Sequence, residues 1–222
     1  MSSIKVIINI DKPVGWTSFD IVKKVKRITG HKKVGHGGTL DPFASGVLIL
    51  GTEDDTKNLT EITKSNKSYQ AELLLGVKTN TLDPEGEITD KKHIPFLSDD
   101  ILRKTMKTFE GKQKQIPPMF SAKKRGGVRL YKLARKNIEI ERNEIDIEIN
   151  DISLVSFFED KIIFNVSCSK GTYIRVLGSD IAKKLGTVGY LINLKRIRVG
   201  NYFIKDSISI ENFEKSWKSY TR

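Results

Sequence analysis

Gly35-His36-Gly37-Gly38-Thr39-Leu40-Asp41-Pro42-Phe43-Ala44-Ser45-Gly46 is the stretch on which the chain's reading turns. Its three leading glycines allow positive φ and let the backbone approach a ligand closely. Pro42 stiffens the chain just after the carboxylate of Asp41. The apolar run at 46–50 ends at Gly51 and reads as a short strand. Before the loop, residues 21–40 carry Lys23, Lys24, Lys26, Arg27, Lys32 and Lys33 and no acidic residue. Asp41 is therefore presented between a basic helix and an apolar strand. That suits a reacting carboxylate, and it equally suits an ordinary Asp-Pro turn.

Working outward, residues 4–10 are β-branched and apolar, and Asp11, Pro13 and Gly15 end them as a strand. Thr17 followed three residues later by Asp20 resembles a capping box. The helix it opens is expected to bury Phe19, Val22, Val25 and Ile28 and to stop at Gly30. Residues 53–62 look helical, 68–77 read as a strand, and 79–86 form a loop with an Asp83-Pro84 turn signal. Ser98 caps a helix that runs to about Phe109. Leu130, Leu133 and Ala134 suggest a short helix. Ile138 and Ile140 share one parity, while Ile145, Ile147 and Ile149 share the other. This fits a half-buried strand broken near residues 142–144. Residues 152–158 and 161–167 read as a hairpin, Ile174, Leu177, Ile181 and Leu185 as a helical face, and 191–199 as a strand. Strands outnumber helices and often follow one another directly. The expected fold class is α+β, a mixed and largely antiparallel sheet flanked by helices. No boundary divides residues 1–222, and the basic stretch 112–137 is expected to be an inserted arm.

The chain has 222 residues with 39 Lys/Arg and 27 Asp/Glu, a net charge of +12. Nine of the basic residues lie in 112–137, again without an acidic neighbour, so two runs hold fifteen of the 39. A balance of this kind indicates a polyanionic partner, nucleic acid being the usual one, or serves solubility. Cys168 is the only cysteine, so no internal disulfide forms, and a buried structural thiol is expected. The three histidines have no Cys pair beside them, so no metal site is expected. No P-loop pattern occurs. The apolar run 6–10 is too short for a signal peptide or a membrane span, which leaves the cytoplasm as the expected location.

Two further residues could carry chemistry. Arg175, in Lys170-Gly171-Thr172-Tyr173-Ile174-Arg175, falls in the first turn of a helix. A cation there opposes the helix dipole, so a carboxylate or a phosphate should compensate it, unless it is a solvated surface arginine. Tyr69, in a strand, could stack on a base or fill the core.

The Asp41 loop as a whole closely resembles the catalytic motif of the TruB family of pseudouridine synthases. Other stretches agree in order. Asp11-Lys12-Pro13-Val14-Gly15-Trp16-Thr17-Ser18 is similar to the family's N-terminal signature, and Lys67-Ser68-Tyr69 to the motif carrying its active-site tyrosine. Ile116-Pro117-Pro118-Met119-Phe120-Ser121-Ala122 resembles the stem of its RNA-gripping arm. The segment from Cys168 through Arg175 is similar to a further signature, and residues 191–196 to the last catalytic-core strand. The resemblance implies isomerisation of uridine to pseudouridine, typically uridine 55 of the tRNA T-arm, with no cofactor. Asp41 would be the nucleophile, Arg175 would pair with it and hold it ionised, and Tyr69 would stack on the target base and help remove the C5 proton. Leu194 and Tyr173 would line the pocket. His36 would fill the space left by the flipped nucleotide, and Lys12 and Pro13 would support the pocket from behind. The implied partner is tRNA, bound by a monomer with no obligate protein partner and no membrane. Family members usually continue into a small C-terminal RNA-binding domain, which is not expected within these 222 residues.

Overall fold

The structure is a computed structural model and describes residues 6–220. It divides into two compact units, one made of residues 1–69 with 194–222 and the other of residues 70–193, where the sequence shows no boundary.

In the first unit, the strand Ser45–Thr52 lies centrally. It pairs antiparallel with Ile7–Lys12, from Ile7 opposite Gly51 to Lys12 opposite Gly46. Its other edge takes Val34–His36 antiparallel and, at Ser45 and Gly46, the end of Gly189–Val199 in parallel. Gly46 is obligatory there: its φ is +102°, and a Cβ would stand 2.2 Å from the carbonyl oxygen of Arg196. Side chains alternate across this strand. Leu48 and Leu50 join Ile8, Ile10, Ile21, Val22 and Val25 in one core cluster, while Val47 and Ile49 join Leu59 and Val199 in another. Both faces being covered explains why the run is apolar at every position instead of every second one.

The helix Ser18–Thr29 carries the expected capping box, with Thr17 and Asp20 bonding reciprocally, and it ends at Gly30. Its buried face differs from expectation. Ile21 is fully buried and Phe19 is 60 % exposed. Ile21, Val22, Val25 and Ile28 centre the apolar stripe, and Phe19 lies roughly 130° away around a helix of 3.6 residues per turn. The first strand also starts at Ile7 instead of residue 4, and residues 4 and 5 lie outside the described residues.

The chain closes this unit with two elements absent from the sequence reading. Ile208–Ser209 adds a parallel strand beside Ile10 and Asp11, and the helix Ile210–Tyr220 follows it. Phe213 is buried in the cluster formed with Ile21, Val22 and Val25, and Trp217 packs against it. Glu214 bonds Lys218 at 2.8 Å and also Lys24 of the first helix. These two ammonium groups hold its carboxyl down to about 2 from 4.5. A depressed carboxylate stabilises the fold above its unfolded pKa and loses that contribution as the pH falls through the folded one. The stability difference between wild type and Glu214→Gln is expected to shrink from pH 4.5 to about 2, as read by thermal melts across that window.

In the second unit, the long strand Ile145–Phe158 pairs antiparallel with Gly111–Gln115 and turns into a hairpin with Lys161–Cys168. The helix Asp99–Lys107, capped by Ser98 as expected, packs on it. Ile147 and Ile149 are buried on its inner face. The chain is broken at 142–144 as expected, but residues 138–141 form no strand, against expectation, and Ile138 is 45 % exposed. The ladder partner explains this. Gln115 sits opposite Ile145, and two residues later come Pro117 and Pro118, which cannot donate a ladder hydrogen bond. The basic stretch therefore begins as sheet at 112–115, and the excursion from it spans 116–144. It holds a small hairpin, Lys124–Arg125 against Val128–Arg129, turned by Gly126 and Gly127 at φ +56° and +80°. The expected short helix follows as Leu130–Ala134. Across the units the pairing is mixed and largely antiparallel with helices alongside, an α+β fold as the sequence implied.

Candidate active site

The Asp41 loop connects Val34–His36 to Ser45–Thr52 in the first unit, and Asp41 is half-buried. Main-chain bonds pin it on both sides of the carboxylate. Ser18, 2 % exposed, donates its hydroxyl to the Leu40 carbonyl at 3.1 Å and accepts from the Leu40 amide at 2.8 Å. Just past Asp41, the Pro42 carbonyl accepts from the Gly15 amide at 2.8 Å and from Lys12 Nζ at 3.4 Å. Lys12 is fully buried and also donates to the carbonyls of Pro13 and Trp16, at 2.8 and 2.6 Å. Half-buried Pro13 therefore packs where the chain wraps around the Lys12 ammonium. Both residues thus adjoin the Pro42 end of the loop.

Arg196 performs the matching service from the other side, and the sequence did not single it out. It is 1 % exposed, and its guanidinium donates to the carbonyls of Gly38 at 3.1 Å, Thr39 at 3.3 Å and Val47 at 2.7 Å. Its register opposite Gly46 delivers the fork to the loop. Arg196→Met would remove the donor from three carbonyls, that of buried Val47 among them, so a loss of about 1–3 kcal/mol in urea denaturation is expected, with Arg196→Lys recovering part.

The other expected pocket residues of this unit occupy strands. His36 ends Val34–His36 and is half-buried. Tyr69 is 8 % exposed on the inward parity of Lys67–Leu75, and Leu194 is 5 % exposed on Gly189–Val199.

Arg175 and Tyr173 belong to the second unit. Arg175 sits in the first turn of the helix Ile174–Lys184 and is 4 % exposed, so it is not a solvated surface arginine. Its compensating carboxylate within the unit is Asp83, 2.8 Å away and 3 % exposed. The guanidinium also donates to the carbonyls of Thr81 and Phe120, both at 2.7 Å. Asp83 is itself fixed, accepting from the Thr81 hydroxyl at 2.5 Å and the Glu85 amide at 3.1 Å. The sequence reading took Asp83 only as part of a turn; its following proline was the one signal. Tyr173, half-buried, is held through its backbone: its amide donates to Gln115 Oε1 at 2.8 Å and its carbonyl accepts from Gln115 Nε2 at 3.1 Å. Among the described residues, no group of three or more His, Cys, Asp or Glu is placed to hold a metal ion. Cys168 is buried, as expected.

The chain is similar to known proteins over most of its length. The family model described as TruB family pseudouridylate synthase (N terminal domain) matches residues 26–174, which takes in His36, Asp41, Tyr69 and Tyr173 and stops one residue before Arg175. The chain belongs to the TruB family of pseudouridylate synthases. It is 47 % identical to a tRNA pseudouridine synthase B of Clostridium kluyveri, over 92 % of this chain and 71 % of that protein. It is 44 % identical to another of Psychrobacter cryohalolentis, over 94 % and 59 %. Among solved structures it resembles the crystal structure of a Cbf5–Nop10–Gar1 complex with TM-score 0.78 and 27 % identity, over 97 % of this chain and 55 % of that one. An H/ACA RNP bound to a substrate RNA containing 2'-deoxyuridine gives 0.72 and 25 %, with the same shares. The chain thus spans about 59–71 % of these curated relatives and 55 % of the solved chains. Among the described residues no helix is long and apolar enough to cross a membrane.

Proposed function

We propose that this protein isomerises uridine to pseudouridine in tRNA, at uridine 55 of the T-arm, with Asp41 as nucleophile. The observation that carries the reading is the clamped loop. Buried Lys12 and Arg196 hold main-chain carbonyls on either side of Asp41, so the carboxylate is presented from a rigid base. The reaction breaks the C1′–N1 bond, forms C1′–C5, releases the C5 hydrogen and returns a proton to N1. Atoms and electrons balance within the nucleotide, so the chemistry calls for no cofactor. Arg175 is the cation assigned to the Asp41 carboxylate, which a neighbouring positive charge keeps ionised and nucleophilic. Tyr69 stacks on the target base and helps take the C5 proton. Leu194 and Tyr173 line the pocket, and His36 occupies the space the extruded nucleotide vacates. Extruding that nucleotide costs about a few kcal/mol, which phosphate contacts must offset. The excursion at 116–144 presents Lys123, Lys124, Arg125 and Arg129, all exposed, on and beside a two-glycine turn, which suits a grip on the T-arm.

The curated relatives carry the name of a single enzyme, which favours action without an obligate protein partner; the proposed active form is a monomer. A tRNA substrate also favours the cytoplasm. The likeness to a Cbf5–Nop10–Gar1 complex keeps an assembly-dependent reading in view. Incubation with an unmodified tRNA transcript, followed by chemical mapping, separates them. Pseudouridine at position 55 from the protein alone is expected. No product from folded protein overturns the reading, and product only after partner proteins and a guide RNA are added favours the alternative.

A further inference from the structure

In the first unit, the helix Ser18–Thr29 and the strand Val34–His36 enclose a groove of about 500 Å³ walled by Phe19, Lys23, Lys26, Lys32, Lys33 and Val34. Four of the nine lining residues are lysines, and no carboxylate lines the groove. Some lysines elsewhere have an ion-pair partner, as Lys64 with Glu61, Lys104 with Asp100, Lys107 with Glu110 and Lys218 with Glu214. Two acidic residues close to the groove in the chain bond other groups. Glu53 turns its carboxylate to the backbone amides of Lys32 and Lys33, at 2.7 and 3.3 Å, not to their ammonium groups. Asp20 bonds the hydroxyl and amide of Thr17 and feels Lys23 only through space. Lys24, on the same helix, faces away to Glu214. Among the described residues, Lys23, Lys26, Lys32 and Lys33 therefore have no ion pair, and Lys23 instead lies 4.8 Å over the ring of exposed Phe19. Four like charges around one groove repel one another until an anion joins them.

We propose that this groove seats the sugar–phosphate backbone of the substrate RNA, on the stretch adjoining the flipped nucleotide. Charge complementarity selects a phosphodiester run over an apolar or cationic occupant. The chain path sets its place: groove residues Val34 and Gly35 lead directly to His36 and then to the Asp41 loop. The seat belongs to the first unit and the 116–144 excursion to the second. The proposal rests on the RNA-modifying reading and adds a second phosphate contact surface to it.

The test compares salt dependence. Binding of a tRNA transcript is measured by filter retention across a salt series on an Asp41→Asn background, and KM and kcat are measured on the active enzyme. Replacing all four lysines by glutamine is expected to flatten the slope of log K against log salt by about 3, since each lost phosphate contact removes about 0.7–0.9. KM should rise while kcat at saturating RNA holds. Replacing the four by arginine should keep the wild-type slope, and so should glutamine at the paired Lys104, Lys107 and Lys218. An unchanged slope and KM in the four-glutamine variant overturns the proposal. The two readings fail separately. A flattened slope with no pseudouridine from wild type sinks the isomerase reading and leaves the groove as an RNA seat. Pseudouridine with an unmoved slope sinks the groove alone.

Discussion

Asp41→Asn is expected to lower single-turnover pseudouridine formation by roughly 10⁴-fold or more while tRNA binding stays within a few-fold of wild type. Asparagine has nearly the same shape but no anionic oxygen with which to attack. The loop itself should persist, because the bonds that pin it belong to its neighbours. Leu40 is held by Ser18, Pro42 by Gly15 and Lys12, and Gly38 and Thr39 by Arg196. Release of tritium from C5-labelled tRNA reads the chemistry, because C5 loses its hydrogen only when it becomes the glycosidic carbon. Filter retention reads binding. Residual turnover within ten-fold of wild type would show that the nucleophile lies elsewhere, and parallel loss of binding would show that the loop had collapsed.

What the sequence made legible here was local. The capping box of Thr17 and Asp20, the stop at Gly30 and the face of Ile174, Leu177 and Ile181 depend on residues a few positions apart, and the structure contains all of them. Asp41 stood out for the same reason, since glycines and a proline surround it. Arg196 and Asp83 were illegible because their partners are remote in sequence. Arg196 reaches carbonyls 149 to 158 residues away, and Asp83 meets a guanidinium 92 residues on. Acceptors on the main chain leave no mark in composition. Residues 138–141 show the converse: an alternating pattern needs a ladder partner, and Pro117 and Pro118 withdraw it. The helix Ile210–Tyr220 has a legible spacing, with Ile210, Phe213 and Trp217 three and four apart, but it lies beyond the segments that resemble the family.

Asp83→Ala is expected to destabilise the fold by about 1–3 kcal/mol, because it removes a buried charge-assisted acceptor from the Arg175 guanidinium. Arg175 and Asp83 side chains are each 4 % exposed, so water cannot take over the lost partner. The change also removes the acceptor for Thr81 and for the Glu85 amide, loosening the turn that receives Arg175. Urea denaturation measures the loss, and Asp83→Asn, which retains an acceptor for both groups, should cost less. The informative variant neutralises both partners. Asp83→Asn combined with Arg175→Met removes both charges of this pair together, so it should recover part of the stability that Asp83→Ala loses. Turnover should not return with it, because the proposed reaction needs the Arg175 charge to keep the Asp41 carboxylate ionised. A stable double variant with near-wild-type turnover would show that the pair serves the fold alone. A stable but inactive one places the Arg175 charge in the chemistry, with Asp83 as the residue that holds the guanidinium in place.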